Sequence, residues 1–316
     1  MTPAVQSETI VKARGLGRRF GPIEAVAQLT FSIARGEIFA VVGPDGAGKT
    51  TLARLLCGVI QPTSGDAEVS GFSVATDPEG VRANIGYMPQ RFSLYLDLTL
   101  MENLRFYSDI YEIPEAIFES RSAALLADFE LAPFKDRLAG ALSGGMKQKL
   151  ALACTLIHDP DLLLLDEPTA GVDPVSRRRF WRLLYGLNAR GKTIYVNTPY
   201  MDEAEHAGRV ALMFRGAFVA CDTPSGLKAS MNGEVLEIVA ADSGAARRSL
   251  RELSSVQSLE LFGARLHALV PSAADALPSV RSRLEQAGLR YASVRRVDPS
   301  LEDAFVALIG TRERAG

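Results

Sequence analysis

The stretch "EIFAVVGPDGAGKTTLARLL", residues 37–56, constrains this chain more than any other. It opens with a continuous apolar run, passes through a glycine-rich turn and continues in helical periodicity. An uninterrupted apolar run reads as a buried strand of a parallel sheet. Within the stretch, "GPDGAGKT" (43–50) satisfies G-x-x-x-x-G-K-[ST] between a strand and a helix, the context that turns a pattern into a phosphate loop. Gly43, Gly46 and Gly48 let backbone N–H groups turn inward onto phosphate oxygens, aided by the helix N-terminus. Lys49 offers a point charge to the β- and γ-phosphates, and Thr50 a hydroxyl to Mg²⁺. The expected cradle is therefore Gly43, Pro44, Asp45, Gly46, Ala47, Gly48, Lys49, Thr50 and Thr51.

The rest of residues 8–229 repeats that texture. "DLLLLDEP" (161–168) and "GKTIYVNTP" (191–199) are further buried strands, and "VALMFRGAFVACDTP" (210–224) reads as a hairpin turning at Arg215-Gly216. Apolar strands separated by helices predict an α/β fold with a parallel sheet covered on both sides. Between 91 and 140 the strand signal gives way to helical patterns in "TLMENLRFYSDIY" and "ESRSAALLADFEL", an inserted helical subdomain over about 91–158. After about 230 the order strand, helix, two strands, helix, strand predicts a small α+β domain of ferredoxin-like type over 230–316. Its last segment, "DPSLEDAFVALIG", places Ser300 and Asp303 at capping-box spacing, with Leu301, Phe305 and Leu308 on one helix face. This part carries no catalytic constellation, and a regulatory or dimerising role is the default.

Charge excludes one class of partner. With 35 basic against 37 acidic residues and no basic run longer than "RRR" at 177–179, the chain has no nucleic-acid footprint. Cys57, Cys154 and Cys221 lie far apart, as expected of a reducing cytosol. "MTPAVQSETI" has no apolar core to act as a signal, and "LLLLL" near 162 is far short of the roughly 20 residues that cross a bilayer. If the protein works at a membrane, other chains hold it there.

The strand "LLLLDEP" supplies the other half of a nucleotide site. Asp166, at its end, is placed to hold Mg²⁺, and the adjacent Glu167 to polarise an attacking water as general base. A second anion-binding device lies upstream. In "LSGGMKQ" (142–148), Ser143, Gly144 and Gly145 open a helix whose free N–H groups and serine hydroxyl can hold phosphate.

Two such devices in this order, followed by a strand ending LLDEP, resemble the ATP-binding cassette family that drives ABC transporters. The resemblance covers residues 8–229 and implies ATP and Mg²⁺ as ligands. It implies that Phe20 stacks on adenine, that Gln90 reaches Mg²⁺ and the γ-phosphate, and that Asp173 crosses to an opposite subunit. Asp45 replaces the family's usual asparagine and brings an extra negative charge near the phosphates. Such cassettes pair, each ATP lying between the phosphate loop of one subunit and the LSGG segment of the other. The helical subdomain then transmits the motion to membrane permeases. "RFSLYLDLTLMENL" (91–104), with Phe92, Leu94, Tyr95 and Leu96, is the expected docking surface.

One position departs from the family. Where a histidine normally follows the strand and donates to the γ-phosphate, "VNTPYMDEAE" carries Pro199. Proline has neither a polar side chain nor a backbone N–H. Loss of one preorganised donor costs about 10² to 10³ in rate. His158 and His267 are far off in sequence, and His206 is placed two helical turns downstream. The favoured expectation is a slow site of its own and a heterodimer with a second cassette. The alternative is that Thr198 or Tyr200 substitutes in an active homodimer. The motif set and the "DPSLEDAFVALIG" tail resemble the first, histidine-lacking cassettes of tandem efflux ATPases and other ABC-2 exporters. Two further readings stay open: an importer ATPase, and a non-transport cassette ATPase, whose usual linkers and coiled coils are absent here. The expected location is cytoplasmic, on the inner membrane face through permease partners.

Overall fold

A computed structural model describes residues 8–91 and 94–315. These fall into two compact units, one up to Phe218 and one from Val219 onward.

The first unit is built on a six-stranded sheet whose edge strand runs on past Phe218, in the order Ala217–Asp222, Arg209–Phe214, Ile38–Val42, Thr193–Thr198, Leu162–Asp166, Ile85–Met88. The last five are paired in parallel. Every residue of Ile38–Val42, Leu162–Asp166 and Thr193–Thr198 is buried, which is why these segments read as unbroken apolar runs. The hairpin turn falls at Arg215 and Gly216, both at positive φ (47° and 80°), the conformation of a tight turn matched to strand twist.

The cover on one side differs from a simple helical layer. An antiparallel sheet in the order Ile23–Ala34, Thr9–Phe20, Ser64–Val69, Phe72–Ser73 shares a core with the parallel sheet and with the helix Lys49–Leu56. Its long strands alternate, burying Val11, Ala13, Val26 and Ile33 while exposing Lys12 and Arg14. One face packs and the other meets water, as antiparallel sheets allow.

The predicted insert forms the helices Leu100–Ile110, Glu115–Asp128 and Gly144–Leu156. Thr99 and Glu102 close a capping box on the first of them. Asn103 is fully buried, and its amide ties down the loop before the helix through Tyr95 O (3.0 Å), Thr99 O (2.9 Å) and Tyr95 N (3.0 Å). Tyr95 and Leu96 are exposed and Leu94 is half-buried, while Leu100 and Leu104 enter the core. Phe92 lies outside the described residues.

The second unit has the order Ser258–Phe262, Arg265–Val270, Glu234–Ala240, Tyr291–Val297, with every pair antiparallel. This is the ferredoxin-like arrangement, and the helices Ser243–Leu250 and Ala273–Gln286 contribute Ala246, Leu250, Val280 and Leu284 to its core. At the last helix, Leu301–Ala315, the Asp303 N–H donates to Ser300 Oγ (3.1 Å) and the Ser300 N–H to Asp303 Oδ2 (2.8 Å). Leu301 is buried, whereas Phe305 and Leu308 are only half-buried, because Asp303 and Ala304 take part of the inward face. Among the described residues no helix is long and apolar enough to cross a membrane.

Candidate nucleotide site

The C-terminal ends of the parallel strands converge on an open cleft of about 550 Å³, lined by Asp45, Gly46, Gly48, Lys49, Thr50, Thr51, Gln90 and Glu167. Its geometry starts with two glycines that nothing larger could replace. A Cβ on Gly43 would lie 2.1 Å from Met213 O. One on Gly48, whose φ is +107°, would lie 2.2 Å from Ala25 O. The hairpin turn braces the loop from outside, its Gly216 N–H donating to Ala47 O (2.9 Å).

Lys49 is buried, and its Nζ donates to Gly43 O (2.8 Å) and Pro44 O (3.1 Å). The ammonium thus lies curled within its own loop, with donors ready to exchange carbonyls for phosphate. Burial lowers its pKa, while the charges of Glu167, Asp45 and Asp166 pull the other way. The expected penalty of Asp45 therefore has a counterpart here: its carboxylate helps keep Lys49 protonated.

Asp166 ends its strand buried, and Thr50 Oγ1 donates to its Oδ1 (3.1 Å). Burial raises the pKa of this carboxyl against the opposing hydrogen bonds of Asn197 and Thr50. Its other oxygen, Oδ2, is buried with no hydrogen-bond partner. A lone carboxylate oxygen beside a hydroxyl fits magnesium, which takes few protein ligands and keeps water and phosphate oxygens around it. Among the described residues no group of three or more His, Cys, Asp and Glu could hold a metal by itself.

Glu167 follows in the left-handed region at φ +51°, which a non-glycine residue adopts only where its surroundings enforce it. The enforcing contacts are its own N–H to Asn197 O (2.9 Å) and Ala170 N–H to its carbonyl (3.1 Å). This bend turns the side chain into the cleft, where Gln90 Nε2 donates to Glu167 Oε2 (2.8 Å).

Other expected residues stand elsewhere. Phe20 is exposed, carries the Arg18 guanidinium 4.6 Å from its ring centroid, and pairs in the sheet with Ile23, a cleft residue. Ser143 caps the helix Gly144–Leu156, accepting from Met146 N–H (3.4 Å), and with Gly144 it faces solvent outside this cleft. Gly145 sits against Ser176. The Asp173 carboxylate caps the helix Pro174–Ala189 through Val175 N–H (3.0 Å) and Ser176 N–H (2.9 Å), and the Ser176 side chain first, then these N–H groups, hold its pKa below the usual range. The phosphate loop, Gln90, Asp166 and Glu167 are therefore brought together, and the Ser143 device is not among them.

At the switch position neither neighbour of Pro199 lines the cleft. Thr198 Oγ1 is buried and donates to Glu203 Oε2 (2.8 Å), and the Tyr200 ring lies 4.1 Å from the Arg177 guanidinium. The helix that follows is only Met201–Ala204, so His206 lies beyond it, packed against Trp181 and Tyr185, and not on a second helical turn.

Sequence reading missed Asn197, Glu24 and Arg215. The latter two line the cleft from the antiparallel sheet and from the hairpin turn, elements distant in sequence from the loop. The signal for Asn197 was an amide within the strand-forming run "TIYVNT".

A phosphate loop, a strand-end Asp-Glu pair with its glutamine, and a separate serine-capped helix beside one parallel sheet are the arrangement of a nucleotide-binding cassette. Residues 26–170 match the ABC transporter family. Over 96% of its length the chain is 39% identical to the probable multidrug ABC transporter ATP-binding protein YbhF of Escherichia coli (strain K12), and it spans 53% of that protein. It is 34% identical to the daunorubicin resistance ATP-binding protein DrrA2 of Streptomyces coeruleorubidus, across 96% of this chain and 95% of that one. A solved dimeric, post-hydrolysis ATP-binding cassette bound to ADP and Pi superimposes with a TM-score of 0.61 at 26% identity, over 67% of this chain and 98% of that one. The chain belongs to the ATP-binding proteins of ABC transporters.

Proposed function

We propose that this chain is the ATP-hydrolysing subunit of an exporter of the ABC-2 class, moving drugs or other amphipathic cargo through separate permease chains. Two relatives are named for multidrug transport and daunorubicin resistance, which favours export over import. In this reading the phosphate-loop amides and Lys49 bind the phosphates of ATP, and Phe20 stacks on its base. Thr50, Asp166 and Gln90 would hold magnesium, which neutralises phosphate charge when bound. Glu167 takes a proton from the attacking water, released to it once nucleotide draws Gln90 away.

One observation carries the pairing: the cleft is lined by Asp45, Gly46, Gly48, Lys49, Thr50 and Thr51 of the phosphate loop but by no residue of "LSGG", whose Ser143 and Gly144 face solvent. One chain thus offers two half-sites. Nucleotide joining two chains would complete both, with Ser143, Gly144 and Gly145 of one closing on the phosphates held by another. Pro199 leaves the chain's own cleft short of one donor, and the absence of Thr198 and Tyr200 from the cleft lining favours a heterodimer with a second, histidine-bearing cassette. The test is co-purification from membranes combined with nucleotide-dependent association. Recovery of permeases and a second cassette, and pairing on MgATP by a Glu167→Gln variant, is the expected result. A chain that stays monomeric with saturating MgATP and every partner present would overturn the reading.

A further inference from the structure

We infer that Asn197 is a positioning residue for magnesium, fixing which oxygen of Asp166 is offered to the ion. The inference rests on the nucleotide-site reading and concerns a side chain that touches neither nucleotide nor metal.

Asn197 is fully buried in the strand Thr193–Thr198, directly paired with Asp166 on the neighbouring strand. Its amide nitrogen has two hydrogens, and each has one acceptor: Lys49 O at 2.8 Å and Asp166 Oδ1 at 3.1 Å. Both partners are acceptors only, so the amide orientation is dictated by chemistry; a flipped amide would set its oxygen against two others. The side chain therefore bridges the first residue of the phosphate-loop helix to the carboxylate at the strand end. Thr50 Oγ1 donates to the same Oδ1, so that oxygen is held twice while Oδ2 has no partner. A carboxylate pinned through one oxygen presents the other at a fixed place relative to the loop. The backbone of Asn197 adds to this, since its carbonyl receives the N–H of Glu167 (2.9 Å). Asn197 thus sets the base and the magnesium carboxylate from one strand position.

Its own Oδ1 makes no hydrogen bond of ordinary geometry, although the buried Tyr195 hydroxyl interacts with the Asn197 side chain. The bonds that place the amide against the site are the two that its nitrogen makes.

The experiment measures binding of a fluorescent, non-hydrolysable ATP analogue to the full chain with and without magnesium, for the parent, Asn197→Ala and Asn197→Asp. In the variants the affinity gained on adding magnesium should fall about 10- to 100-fold, the usual effect of losing a group that orients a metal ligand. Magnesium-free binding, held by Lys49 and the loop amides, should stay within about twofold of the parent in Asn197→Ala, while Asn197→Asp, whose added carboxylate also repels phosphate, is read only by its magnesium-dependent gain. Asn197→Gln, which keeps the donor on a longer arm, should recover part of the loss. Undiminished magnesium gain in Asn197→Ala overturns the inference, as does an equal loss with and without magnesium, which marks a merely structural role. If the parent chain itself binds no nucleotide, the nucleotide-site reading fails instead.

Discussion

Gln90 Nε2 donates to Glu167 Oε2 across 2.8 Å, joining the end of one sheet strand to the residue that follows another. The amide comes from the segment leading into the helical insert, and the carboxylate from the strand end beside the phosphate loop. In the proposed mechanism, hydrolysis requires the carboxylate to exchange this donor for a water. Replacing Glu167 with Gln removes the base but keeps the shape and leaves the phosphate loop intact. The expected result is a fall in ATP turnover of about 10²- to 10⁴-fold with nucleotide affinity retained, read by phosphate release and equilibrium binding.

Pro199→His restores a donor at the switch position. Thr198 Oγ1 is spent on Glu203 and neither Thr198 nor Tyr200 lines the cleft, so they give no competing supply. Turnover should rise in the substituted chain, by up to about 10²- to 10³-fold if the geometry is recovered in full. Turnover that is already high in the parent and unchanged by the substitution would contradict a weakened site.

Gly48→Ala should abolish nucleotide binding. The position combines φ +107° with a backbone carbonyl 2.2 Å from where a Cβ would stand, so the loop must shift and its amides lose their aim. The strain alone costs on the order of 1–3 kcal/mol, which thermal denaturation should register alongside the lost affinity.

His158 gives a pH signature. Its ring stacks on Tyr111 with centroids 3.7 Å apart and its Nε2 donates to Ile85 O (3.0 Å), and burial lowers its pKa from 6.5 to about 4. Above pH 6.5 the ring is neutral in the folded and the unfolded chain alike, and its contribution to stability is complete. Between pH 6.5 and 4 the unfolded chain takes up a proton that the folded chain refuses, so stability falls as pH falls. The loss amounts to about 2–3 kcal/mol after allowance for the partly open surroundings. His158→Phe, which keeps the stack but cannot titrate, should flatten that part of the Tm-against-pH curve, while lying below the parent above pH 6.5 for want of the bond to Ile85.

The phosphate loop, the Asp166–Glu167 pair, the Ser143 cap, the hairpin at Arg215-Gly216 and the strand order of the second unit were all legible in the chain. Each depends on neighbours a few residues apart: a glycine that must turn, an acidic pair at the end of an apolar run, a serine before a helix. Local spacing writes such features directly into sequence. The antiparallel sheet was less legible, because its bulged strands with polar outer faces carry a weaker period than the buried ones.

What folding alone decided concerns contacts between distant segments. That Glu167 is bent inward by Asn197, that Thr198 is spent on Glu203, and that Ser143 opens away from the phosphate loop depend on strand neighbours and helix directions. Sequence fixed which residues could carry charge and hydrogen bonds; only the packed sheet determined which of those groups were already taken. A donor's availability is a property of its surroundings, and surroundings are assembled from parts of the chain that no local pattern connects.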